Sequence, residues 1–78
     1  PKDSKPLLQE VAHSKGLGNP VYEVVGRAGS EHEPTFFMTV SLRGVKSQQG
    51  EGRNKKLAEQ AAAAKMLDFL GYPHGTKC

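Results

Sequence analysis

The sequence predicts an α+β domain in which two helices pack on one face of a three-stranded antiparallel sheet, in the order α-β-β-β-α. Three observations predict it. Apolar residues recur at helical spacing near both ends of the chain, the run FFMTVSL alternates with a period of two, and only short turns and one polar loop separate the segments. At 78 residues and 36% hydrophobic content the chain can bury one small core and no second one. With no tryptophan, two tyrosines and three phenylalanines, that core must be mainly aliphatic. No internal repeat is present.

The first helix follows a tail over residues 1–4, where Ser4 or Asp3 is the N-cap and Pro6 falls in the first turn, a position that tolerates its missing N–H. Leu7, Leu8, Val11 and Ala12 give it an apolar stripe, ended by Gly16 and Gly18. After Asn19-Pro20, the β-branched run VYEVV reads as a strand and GRAGSEHEP as a polar loop. In the second strand Phe36, Met38, Val40 and Leu42 face one way and Phe37, Thr39 and Ser41 the other. Arg43-Gly44 makes a tight turn, and VKSQQGEG is a weaker third strand. The last helix carries a stripe of Leu57, Ala61, Ala64, Leu67 and Leu70, widened by Ala58, Ala62 and Phe69. Gly71 and Pro73 end it, and residues 72–78 form a tail. Both helices are expected to cover the single apolar sheet face, leaving the face with Phe37 partly exposed.

The net charge of +3 is compatible with an anionic partner. No apolar run approaches the length of a membrane span, and the opening residues are not expected to act as a signal peptide, lacking its basic, apolar and small-residue pattern. A start at Pro1 rather than methionine is expected of a piece of a larger protein. The single Cys78 can form no internal disulfide, which suits a reducing compartment, cytoplasmic or nuclear. No metal, cofactor or small-molecule substrate is expected, because His32 has no second ligand at metal-binding spacing and no carboxylate pair surrounds a nucleophile.

The start of the last helix, GEGRNKKLAEQ, runs against helix electrostatics. Lys55 and Lys56 sit in the first turn, where the macrodipole repels cations. First-turn N–H groups lack helical acceptors and attract anions. With Arg53 and Asn54 beside them, the lysines read as a phosphate site, and Gly50 and Gly52 present no side chain to obstruct a phosphate backbone. The bland alternative is an ordinary basic loop whose glycines serve a turn.

The order of elements, with G-x-G-x-x-K-K-x-A before a run of alanines, resembles the double-stranded RNA-binding domain family over residues 5–71. The resemblance implies contact with A-form RNA from three places, two in successive minor grooves and one on the intervening major-groove phosphates. Gln9 and Glu10 match the glutamine–glutamate pair that the family's first helix presents to a minor groove. Gly29, His32 and Phe36 match the loop that enters the second one, with Ser30 where a proline is usual. Lys55 and Lys56 correspond to the family's phosphate-contacting lysine pair, and Arg53 and Asn54 just before them are expected to add to that site. Glu59 stands where a third basic residue is usual, at i+4 from Lys55 and i+3 from Lys56, and is expected to pair with either. Glu31 and Glu33 add negative charge beside the second minor-groove contact.

The reading that follows is double-stranded RNA binding, directed by shape and backbone with little sequence preference, by a non-enzymatic module. GRAG also matches the bare G-x-x-G of a single-strand-binding KH loop, but it lies between two strands rather than two helices, and no P-loop pattern occurs. The open alternative is a protein-interaction or dimerisation module using the exposed sheet face around Phe37.

Overall fold

The computed structural model describes residues 4–72. They form α1 (Ser4–Ser14), β1 (Val21–Gly29), β2 (Pro34–Leu42), β3 (Val45–Gly52) and α2 (Lys55–Leu70), in the expected order. The strands make one antiparallel sheet in the order β1-β2-β3. Asp3 and residues 73–78 lie outside the described residues, whereas Tyr72 packs against the core. Both helices close with the same pair of hydrogen bonds: Gly16 N–H to the His13 carbonyl and Leu17 N–H to that of Ala12, then Gly71 to Asp68 and Tyr72 to Leu67.

The period-two pattern of β2 is realised. Met38, Val40 and Leu42 are buried, Phe36 packs against them, and Phe37, Thr39 and Ser41 lie on the opposite face. Leu8, Val11 and Ala12 of α1 complete the core with Ala58, Ala62, Ala63, Met66 and Leu67 of α2. That set differs from the expected stripe on α2. Leu57 and Phe69 are about half exposed, at 49% and 54%, while Ala63 and Met66 are buried. A helix with four consecutive alanines is apolar on several faces, so its own sequence does not choose which face to bury.

The neighbouring strand chooses. A Cβ at Gly50 would lie 2.2 Å from the Ala62 nitrogen, and one at Gly52 would lie 2.6 Å from that of Ala58. Any side chain there would push the helix away, so these two glycines set α2 directly on the backbone of β3. Their expected role as gaps for an RNA phosphate is therefore corrected, because the space that they leave is filled by α2. The helix lies across β2 and β3 with α1 packed along it, and neither helix packs extensively on β1. Val24, opposite the buried Met38, is consequently 42% exposed.

β1 also runs further than expected, through the first four residues of the supposed polar loop. Its pairing with β2 shifts between Val24 and Gly26, which leaves Val25 as an extra residue in a β-bulge. Beyond it the ladder continues as Gly26↔Phe37, Arg27↔Phe36, Ala28↔Thr35 and Gly29↔Pro34. Polar side chains on an edge strand can face water, so composition did not mark this extension.

Candidate nucleic-acid interface

The amino terminus of α2 is built as an open basic corner. Asn54 caps it, its side-chain oxygen accepting the Leu57 N–H at 2.8 Å. Arg53, Lys55 and Lys56 are exposed, and no carboxylate pairs with any of them among the described residues. Asn54 thus orients the corner, with its carboxamide oxygen already engaged.

The β1–β2 connection is a four-residue turn, Ser30–Glu33, all exposed. Gly29 enters it at φ 84°, and a Cβ there would meet the Glu33 carbonyl oxygen at 2.4 Å, so only glycine fits. Ser30 Oγ accepts the Glu33 N–H at 3.0 Å. That bond fastens the turn in the way a side-chain oxygen can, so the missing proline does not leave it untied. His32 projects from the turn flanked by Glu31 and Glu33. No cluster of three metal-ligating side chains occurs among the described residues.

On α1, Gln9 and Glu10, the two residues after the buried Leu8, are exposed. Gln9 borders a shallow cavity of about 390 Å³ with Lys5, Pro6, Asn19, Pro20 and Tyr22. His13 Nε2 donates to the Asn19 side-chain oxygen at 2.7 Å, which holds the turn leading into β1.

The largest departure from expectation is Glu59. It does not pair with Lys55 or Lys56; its carboxylate accepts a hydrogen bond from Lys5 Nζ of α1 at 2.6 Å. Beside it, the Gln60 side-chain oxygen accepts the Ser4 and Lys5 backbone N–H groups at 2.8 and 3.2 Å. The expected cap by Ser4 is therefore replaced by one from α2, with Ser4 itself buried as the first residue of α1. Nothing local could have revealed this, since the partners are more than 50 positions apart. Lys5 Nζ also lies 5.1 Å from the Tyr22 ring centroid. The Tyr22 hydroxyl is buried with no hydrogen-bond partner among the described residues. Burial, reinforced by the Glu59 charge, pushes its pKa up from 10.0 to about 12.

An unpaired basic helix terminus, a tied loop and an exposed polar helix face on one small α-β-β-β-α scaffold define a nucleic-acid-binding domain. Residues 4–70 match the family model for the double-stranded RNA binding motif. The chain belongs to that family and is a double-stranded RNA-binding domain. It is 46% identical over 66 residues to Ribonuclease 3 of Brucella canis and, equally, of Brucella suis, covering 85% of this chain but 27% of those proteins. Among solved structures it is similar to the first double-stranded RNA-binding domain of protein HYL1, with 43% identity, a TM-score of 0.65, and 81% of this chain and 89% of that one covered. The corresponding domain of tRNA-dihydrouridine(20) synthase gives 32% identity and a TM-score of 0.74, over 95% of this chain and 77% of that one.

Proposed function

We propose that this domain grips duplex RNA by its shape and backbone, with little sequence discrimination. Arg53, Lys55 and Lys56 meet the major-groove phosphates at the corner that Asn54 shapes. Gln9 and Glu10 on one side, and Gly29, Ser30 and His32 on the other, enter the flanking minor grooves, where 2′-hydroxyls distinguish RNA from DNA. The observation that carries this reading is the trio of exposed, unpaired cations at the start of α2, a place where helix electrostatics disfavours them unless an anion arrives. The chain contributes binding rather than catalysis and serves within a larger protein. Its likeness to part of Ribonuclease 3 supports a role in presenting duplexes to a nuclease, and a single cysteine suits a cytoplasmic or nuclear setting. No helix among the described residues is long and apolar enough to cross a membrane.

The sheet face expected to receive a protein partner is mostly polar. It presents Glu23, Thr39, Ser41, Ser47, Gln49 and Glu51 around a half-buried Phe37, with the exposed Val21 opposite Ser41 at its edge, and offers the protein-docking alternative only scattered apolar surface. A gel-shift comparison of duplex RNA, duplex DNA and single-stranded RNA at two salt concentrations tests the reading. Duplex RNA alone should be retarded. Replacing Lys55 and Lys56 together by alanine should lower the salt slope by about one unit per contact and leave the domain folded, because a repulsion at the dipole is removed. Equal retardation of all three nucleic acids, or an unchanged slope in that variant, would refute it.

A further inference from the structure

We propose that Arg27 is a fourth contact to the RNA, binding a backbone phosphate between the β1–β2 turn and the amino terminus of α2. The bulge at Val25 is what puts it there. Before the bulge, Glu23 lies on the outer face opposite Thr39 and Val24 on the helix face opposite Met38. The extra residue returns Gly26 to the outer face opposite Phe37, and Arg27 to the helix face opposite Phe36. Without it, strict alternation from Val24 would have turned Arg27 outward, away from α2.

On the helix face Arg27 belongs to a row that crosses the whole sheet. It is opposite Phe36, and Phe36 is opposite Gly52, whose missing side chain makes room for the first turn of α2. One end of the row therefore lies beneath the turn that carries Lys55 and Lys56, and the other end is Arg27, two residues before Gly29. The guanidinium stands over the Phe36 ring, 5.4 Å from its centroid, and Phe36 is itself packed against the core. This stack fixes the long side chain in advance and reduces the entropy lost when it binds. Arg27 is exposed, and no carboxylate pairs with it among the described residues. Neither helix packs extensively on β1, so the ground in front of it is open. An unpaired, pre-positioned guanidinium between a minor-groove turn and a phosphate site is suited to a phosphate oxygen. The proposal rests on the duplex-RNA reading of this face.

The test measures duplex-RNA affinity over a salt series for the chain and for Arg27→Ala, Arg27→Lys and the Lys55→Ala/Lys56→Ala pair, with a thermal melt of each. Arg27→Ala should keep the fold, bind roughly fivefold more weakly near 0.1 M salt, and lose about one unit of salt slope. Arg27→Lys should recover the slope and only part of the affinity, because an ammonium keeps the charge without the planar stack. If the lysine pair lowers the slope and Arg27→Ala does not, the proposal falls while the phosphate site stands. If neither changes it, both fall. Weaker binding by Arg27→Ala with an unchanged slope and a lowered melting temperature would reduce Arg27 to a structural prop and overturn the proposal.

Discussion

Reversing the charge of Glu59 should cost stability, because the carboxylate serves the packing of two helices. The Lys5–Glu59 pair is short, 2.6 Å, with side chains 37% and 27% exposed. Partial exposure screens it, which limits its contribution to about 1 kcal/mol. Glu59→Lys removes that attraction and sets two ammonium groups against each other, a repulsion of similar size, so about 2 kcal/mol should be lost. For a domain of this size that lowers Tm by about 10 °C. The assay is thermal denaturation followed by circular dichroism, run on Lys5→Glu, Glu59→Lys and the double exchange. The double variant should recover at least about 0.5 kcal/mol relative to the sum of the singles. If Glu59 instead faced the RNA phosphates, as its position beside the lysine pair suggested, Glu59→Lys would leave Tm unchanged. Coupling indistinguishable from zero would refute the account of the helix junction.

Two further outcomes follow from the packing. Gly50→Ala places a methyl group 2.2 Å from the Ala62 nitrogen and should destabilise by about 3 kcal/mol; a loss below about 1 kcal/mol in urea denaturation would show that α2 can move aside. Tyr22→Phe removes a buried hydroxyl that has no partner among the described residues and should leave stability near neutral pH unchanged or raised by about 1 kcal/mol. Because the folded-state pKa of Tyr22 is raised from 10.0 to about 12, its contribution is whole below pH 10 and is lost as pH climbs through 12, the unfolded chain ionising first. Wild type should therefore lose more stability than Tyr22→Phe across that window, by about 1 kcal/mol after solvent screening of the half-buried ring. Parallel pH profiles would refute it.

The elements themselves were legible because each rests on a local signal. Leu8 to Ala12 carry a helical period, Met38 to Leu42 a strand period, and Gly44 and Gly71 mark stops. The basic corner was equally visible, since Lys55 and Lys56 contradict the dipole of their own helix. What escaped were properties that need two elements at once. The buried face of α2 is chosen by Gly50 and Gly52 on a different strand. The partner of Glu59 lies on a different helix, although spacing alone favoured Lys55 and Lys56. The length of β1 depends on a bulge that lets polar residues continue the ladder, and polar composition argued for a loop. The pairing of Gln60 with the start of α1 leaves no local trace at all.

That last contact has a consequence for how the two helices are indexed against each other. One carboxamide oxygen receives two successive backbone N–H groups, those of Ser4 and Lys5, and so marks the residue at which α1 begins. If α1 slipped by a single residue, Gln9 and Glu10 would advance about 1.5 Å and swing about 100° around the helix axis, off the face that they now present. Gln60 lies one turn past the lysine pair, so it ties the phase of α1 to the segment that carries Lys55 and Lys56. Shape recognition depends on the spacing between contacts, and here one amide side chain in the middle of an alanine-rich helix sets the zero point of that scale.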